Sequence, residues 1–546
     1  MEEKANRPNV LLLLNDDMGF SDIGCYGGEV DTPHLNRLAA GGLRFSQFYN
    51  TARCSPSRAS LLTGLHPHQT GIGVLTYDMG PEGYPGDLNR DCVTMAEVLK
   101  ESGYRTYMSG KWHIANSLEQ PSDSWPMQRG FDQFYGTIIG AGSYYDPNTL
   151  TRGNENIEHE PSEDPDFYYT DAISDQAAAY IREHAERHPG TPFFEYVAYT
   201  APHWPLHAKD EDIAKYRGRF DAGWDRLREE RLRRLVDDGL LDPSWQLTDR
   251  DPTQPAWEDA EHKEWLLRCM EVYAAQIDRM DQGIGRILQA LEETGQLENT
   301  VILFLSDNGA CAEDIPTHVS PRELEETLKI AKTHTRAGEP VVFGNDPSLM
   351  PGPESTYQSY GAAWANLSNT PFRLYKHWVH EGGIATPLLI HWPAGIRSKG
   401  DIRHVPGQLP DILATVVELT GAAYPSEYNN RPVLPLEGES LAPFFERDGE
   451  RTKPLFWEHE GNAAVRAGRW KLVRRYPGDW ELFDMEKDRT ELHDLAVQHP
   501  EQVKELKALY EEWAARCRVL PREQVLELMK KQQATPAFWE EEDQDR

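Results

Sequence analysis

Two uninterrupted apolar runs constrain this chain more than any other feature. Asn9-Val10-Leu11-Leu12-Leu13-Leu14 ends in Asn15-Asp16-Asp17-Met18-Gly19, and Val301-Ile302-Leu303-Phe304-Leu305 ends in Ser306-Asp307-Asn308-Gly309. A run without alternation is buried on both faces, as in a central strand of a parallel sheet. Parallel strands bring their carboxyl ends to one edge, where open α/β sheets bind ligands. Strands nearly 300 residues apart therefore place Asp16, Asp17, Asp307 and Asn308 together. Alone, each pair also reads as a solvated turn; the matched ends favour a shared site. Four oxygen-bearing side chains suit a hard divalent cation such as calcium. No Cys/His cluster accompanies them, which argues against zinc.

The rest of the chain alternates helix and strand. Thr32 and Pro33 open a capped helix, and 44–49 reads as a strand. It leads into Cys54-Ser55-Pro56-Ser57-Arg58-Ala59-Ser60-Leu61-Leu62-Thr63-Gly64. A helix starting there puts Cys54 at its positive end and Arg58 about one turn along, an anion site. The same run also reads as a buried free Cys before an ordinary helix. Residues 93–101 are helical in pattern and 104–109 are β-rich. Lys111 and His113 follow, pointing the same way if the strand continues. A surface Lys beside a half-buried His reads equally well there.

A helix over 171–187 and a strand over 193–199 precede Thr200-Ala201-Pro202-His203-Trp204-Pro205. A His between prolines just past a strand has a fixed backbone and favours a functional role; His207 has no such support. Met270, Tyr273, Ile277, Met280, Ile284, Ile287, Leu288 and Leu291 form the core stripe of a long amphipathic helix. The stretches 114–170 and 311–370 read as loops or polar segments, and 209–262 as a solvated insertion with a helix at 225–238. Lys376 precedes a Gly382-Gly383-Ile384 block and a strand over 387–392; a helix spans 411–421. After a charged linker at 446–454, four short strand-like runs and a helix at 501–516 read as an antiparallel meander with cover. The expected fold class is α/β: a large mixed, mostly parallel sheet flanked by helices over 1–446, and a smaller α+β domain with an antiparallel sheet over 447–546.

The Cys54 run resembles the signature of the type I sulfatases, Cys-x-Pro-x-Arg with a downstream Leu-Thr-Gly. Gly103-Tyr104-Arg105-Thr106 followed by Gly110-Lys111-Trp112-His113 resembles the second signature of that family. The resemblance spans about residues 9–485 with the motifs in order, and implies an alkaline-phosphatase-like fold. It implies that Cys54 is oxidised to formylglycine by a formylglycine-generating enzyme. It also implies that Asp16, Asp17, Asp307, Asn308 and the modified Cys54 bind one calcium. Arg58, Lys111 and Lys376 then hold the sulfate, His113 contacts the hydrated aldehyde, and His203 serves the leaving group. The implied activity is hydrolysis of aryl or other small sulfate esters; relatives with the same groups cleave phosphonate monoesters and phosphodiesters, which is the alternative. Arg53 departs from the family, which usually has an apolar or small residue there.

The formal net charge of −33 excludes nucleic acid as a partner and requires strong local positive charge if the substrate is anionic. The basic side chains and a divalent cation would leave the implied site net positive before its histidines titrate. Charge alone does not separate sulfate from phosphate. Six cysteines without paired spacing fit a reducing compartment. With no apolar leader or membrane-length run, the expected location is cytoplasmic, or periplasmic if a signal was removed. The tail, Phe538-Trp539-Glu540-Glu541-Glu542-Asp543, is a candidate dimer contact.

Overall fold

Strand β1 (Asn9–Asn15) buries Leu11 to Leu14 completely in a computed structural model that describes residues 7–317, 321–326 and 329–532. Each such leucine contributes about 1.5–3 kcal/mol by leaving water. The run is apolar throughout because both faces are covered. Leu11 and Leu13 pack on one face, and Val10, Leu12 and Leu14 on the other. Helices Tyr169–Arg187 and Lys263–Glu293 cover the first face. Helices Cys54–Thr63, Met95–Glu101 and Leu409–Thr420 cover the second.

The remaining strands of the N-terminal two thirds are β2 (Leu43–Tyr49), β3 (Arg105–Gly110), β4 (Gln133–Thr137), β5 (Leu150–Arg152), β6 (Glu155–Asn156), β7 (Phe193–Ala198) and β8 (Thr300–Ser306). Across the main sheet the order is Asp401–Arg403, β2, Ala385–His391, β8, β1, β7, β3, β4, β5, β6. From β8 to β4 the pairs are parallel. Strand Ala385–His391 runs antiparallel to both of its neighbours, β8 and β2.

Register then fixes what meets at the edge. Leu14 lies opposite both Leu305 and Ala198, and Ala198 lies opposite Gly110. Four adjacent strands thus end level. The residues that follow them are Asp307, Asp16, the His203 loop and Lys111. Tyr49 pairs with Ala385, so the chain leaving β2 toward Cys54 and the chain arriving from Lys376 share that edge.

The C-terminal strands Leu455–His459, Asn462–Ala467, Trp470–Arg474 and Trp480–Asp484 form an antiparallel meander, as expected. Helix Pro500–Cys517 packs Leu506, Tyr510 and Trp513 on Ala463, Val465, Leu472 and Leu482. The other face of the meander, with Trp457, Ala464 and Val473, joins the core of the main sheet. A buried ion network supports that junction. Glu381 accepts from Lys471 at 2.8 Å and Arg489 at 2.9 Å, and Lys471 also pairs with Glu491 at 2.8 Å.

Four expectations need correction. The stretch 114–170 supplies β4, β5 and β6, which are too short and polar to stand out. The helix within 209–262 is not a solvated insertion: Gly223–Asp237 buries Trp224, Leu227 and Leu235. Its Arg231 is fully buried because Asp22 and Glu29 neutralise it. The polar stretch 311–370 contains the largely buried helix Gly361–Ser368. Finally, β3 ends at Gly110, and His113 has φ 54°, so Lys111 and His113 do not lie on one extended strand. The tail at 538–543 lies outside the described residues. Among the described residues no helix is long and apolar enough to cross a membrane, and all six cysteines are free.

Glu195 sits mid-strand in β7, and among the described residues neither carboxylate oxygen has a hydrogen-bond partner. Burial pushes its carboxyl well above the usual range. The folded protein therefore keeps a proton that the unfolded chain loses, and stability falls as pH rises past the ordinary carboxylate pKa. Glu195→Gln removes that titration. Between about pH 5 and pH 7 its stability relative to the parent is expected to grow with pH, by at most about 1.4 kcal/mol per unit. Urea unfolding curves across that interval check it; a difference independent of pH would contradict it.

Candidate active site

Ten side chains predicted from sequence converge at the common strand edge. Asp16 and Asp17 follow β1, Asp307 and Asn308 follow β8, and all four are buried. Asp17 has φ 64°, which turns the chain so that its N–H donates to Asp307 Oδ1 at 3.3 Å. Asn308 Nδ2 donates to Asp17 Oδ1 at 2.6 Å. Burial works against the charge on Asp16, but Lys111, His203 and Arg58 outweigh it and hold its carboxyl below the usual range. Burial, reinforced by Asp16, pushes Asp307 up to about 7 despite Arg58.

The cations approach from three directions. Arg58, one turn into helix Cys54–Thr63, gives Asp307 Oδ2 two hydrogen bonds, at 3.1 and 2.8 Å. It also lies 3.4 Å from Asp16 and donates to the Lys111 carbonyl at 3.0 Å. Lys111 Nζ donates to Asp16 Oδ2. Lys376 Nζ donates to Asp17 Oδ2 at 3.0 Å and reaches His203 Nε2 at 3.4 Å. Burial disfavours the Lys376 ammonium, yet Asp17 and Glu313 help raise its pKa well above the ordinary value.

His203 donates from Nδ1 to the Trp204 carbonyl at 2.6 Å, which leaves Nε2 facing Asp17 at 3.3 Å. Burial pushes its pKa down, opposed by Asp17. His113 is held well below its usual range by burial and by Lys111 and Arg58. Its Nδ1 has no hydrogen-bond partner among the described residues, and Gly140 leaves room for the ring: a Cβ there would lie 2.1 Å from it. Cys54, at the first turn of its helix, is buried, and burial pushes its thiol up although Lys111 and Lys376 pull it down. His207 stands aside, hydrogen-bonded to the Thr356 carbonyl.

A buried helix terminus, three carboxylates and three cationic side chains meet at this edge of the sheet. The sulfatase family profile matches residues 8–422 of this chain, and that of the C-terminal region of N-sulphoglucosamine sulphohydrolase matches residues 372–516. The chain belongs to the sulfatase family. Within the alkaline phosphatase superfamily, this sulfatase is 33% identical to an arylsulfatase of Klebsiella aerogenes, over 80% of this chain and 92% of that one. It is 31% identical to an uncharacterized sulfatase of Schizosaccharomyces pombe, over 92% of this chain and 93% of that one. The solved structure of Ps i-CgsB shares the fold, with a TM-score of 0.67 at 24% identity over 97% of this chain and 98% of that one.

Sequence reasoning missed Glu313 in this sulfatase. It accepts from Arg53 Nη1 at 2.8 Å and Trp204 Nε1 at 3.0 Å, and lies 3.6 Å from Lys376. The unusual Arg53 was the available signal: a cation beside the Cys54 helix needs a nearby anion. Arg53 and Glu313 offset each other, so the local charge expected from sequence is unchanged.

Proposed function

We propose that this sulfatase hydrolyses small sulfate esters, of aryl or similar alcohols, with a formylglycine made from Cys54 and one calcium ion. Sulfate ester hydrolysis follows from the family; the nucleophile, the metal and the substrate class are the proposal. The observation that carries it is the convergence of Arg58, Lys111 and Lys376, each buried, around the Cys54 helix terminus. Such cations stabilise equatorial oxygens as charge develops on them.

Asp16, Asp17, Asp307 and Asn308 would hold the calcium. Asp16 Oδ1 and Asn308 Oδ1 are buried without a hydrogen-bond partner among the described residues, which suits an oxygen-binding cation. The calcium would neutralise charge on the sulfate and favour a deprotonated nucleophile. A hydrated formylglycine at position 54 would supply a hydroxyl nucleophile and a second hydroxyl through which the sulfated enzyme can break down.

The other residues have assignable tasks. Arg58 orients Asp307, a carboxylate that can accept the nucleophile's proton. Lys111 and Lys376 bind sulfate oxygens. His203 presents Nε2 beside Lys376, where the pair can deliver a proton to the leaving oxygen. His113 sits among the same charges and can take a proton when sulfate departs. The surrounding protein excludes water and strengthens each of these interactions.

The test is kcat/KM on paired nitrophenyl esters. The sulfate is expected to exceed the phenylphosphonate by at least about tenfold; both esters are monoanions, so the ratio reads the preference for sulfur over phosphorus at equal charge, and the sulfatase family match favours sulfur. A higher value for the phosphonate would replace this reading with phosphonate monoester hydrolysis.

A further inference from the structure

His377, His459 and Glu460 form a second group of ligating side chains, distinct from the four carboxylate and amide residues at the strand edge. His377 follows Lys376 directly, and its N–H donates to the Ala52 carbonyl at 2.8 Å. His459 and Glu460 lie at the turn between strands Leu455–His459 and Asn462–Ala467. Glu460 Oε2 is 3.1 Å from His377 Nδ1 and 3.9 Å from His459 Nε2, and the ligand atoms of all three lie within 4.8 Å of one another. A tetrahedral zinc with bonds of about 2.0–2.1 Å holds its ligands about 3.3 Å apart.

A second observation points to a ligand. His459 is 1% exposed, and neither ring nitrogen has a hydrogen-bond partner among the described residues. Buried imidazoles are nearly always satisfied. The charges around the group fit a cation bound at Glu460 Oε2. Arg522 approaches the other oxygen, Oε1, at 3.3 Å, and Arg53 is engaged by Glu313. A neutral imidazole donates a lone pair to zinc, and both ring nitrogens of His459 are available for it.

We propose that His377, His459 and Glu460 bind a zinc ion that pins the Lys376 loop to the C-terminal sheet. Two imidazoles and one carboxylate favour zinc over calcium. A fourth position is left for water. The ion would join two segments, the loop carrying Lys376 and the β-turn at Glu460, and the His377 N–H bond to the Ala52 carbonyl ties the chain before Cys54 to that loop. Its task would be to position Lys376.

The experiment uses the full chain carrying Asp16→Asn and Asp17→Asn, so that binding at the carboxylate edge is suppressed. After stripping with a chelator, the protein is titrated with Zn²⁺ followed by elemental analysis, and with Co²⁺ followed by visible absorption. One zinc per chain and the strong absorption bands of tetrahedral cobalt are expected. Adding His459→Gln or His377→Ala should weaken zinc binding by at least about tenfold. Zinc binding that is absent, or equal with and without those substitutions, would overturn the proposal. If His459→Gln fails to fold, the partly exposed His377 decides, and circular dichroism reports folding in each case. Because the readout is metal binding and not turnover, its outcome is independent of the hydrolytic mechanism.

Discussion

Cys54→Ala is expected to fold normally and to lose at least about 10⁴-fold in sulfate ester turnover. The side chain is small and stands at the first turn of a helix whose ten residues are all buried. Alanine fits that space and keeps the helix, so the thermal midpoint should stay within a few degrees of the parent. The remaining cations and carboxylates would still bind an anionic ester, so KM should change far less than kcat. Steady-state kinetics with calorimetry measures both. Turnover above about one per cent of the parent would remove Cys54 from the chemistry. Peptide mass spectrometry of the parent adds the complementary result: the Cys54 peptide should carry an aldehyde in place of the thiol when the protein is made alongside a maturation enzyme.

Arg58→Met should damage both stability and rate. Its guanidinium is fully buried and serves Asp307, Asp16 and the Lys111 carbonyl at once. Removing one partner of a buried ion pair leaves the other uncompensated, at about 3–5 kcal/mol. That is a large share of the 5–15 kcal/mol typical of a folded domain. Loss of a preorganised charge should also cost about 10²–10³ in kcat/KM. Burial already pushes Asp307 up to about 7, and Arg58 counteracts it. Without Arg58 the Asp307 carboxylate loses its two hydrogen bonds from the guanidinium. Unfolding curves and kcat/KM provide the check. A thermal midpoint and a kcat/KM both close to the parent would show that Arg58 bears neither load.

Most of the site could be read from the sequence because the fold depends on the same residues. Leu11 to Leu14 and Val301 to Leu305 must be central strands, and a central parallel strand can end at only one edge. The positions of Asp16, Asp17, Asp307 and Asn308 follow from that. The Cys54 helix was legible from Pro56 and the downstream small residues. What escaped reading depends on partners distant in sequence. Arg231 looks like a surface residue until Asp22 and Glu29 meet it. Glu313 gains meaning only when Arg53, Trp204 and Lys376 close around it. His113 was placed beside Lys111 by a strand geometry that stops at Gly110, and a positive φ delivers the ring to the same region instead.

Strand Ala385–His391, reversed against both of its neighbours, carries a consequence for timing. It seats between β2 and β8, so the sheet around Cys54 stays split until ribosomal synthesis has passed residue 391. Afterwards Cys54 is 3% exposed, beneath Lys376 and the edge of the sheet. Any enzyme that rewrites that thiol must reach it as a nascent or unfolded segment, before the last third of the chain closes over it.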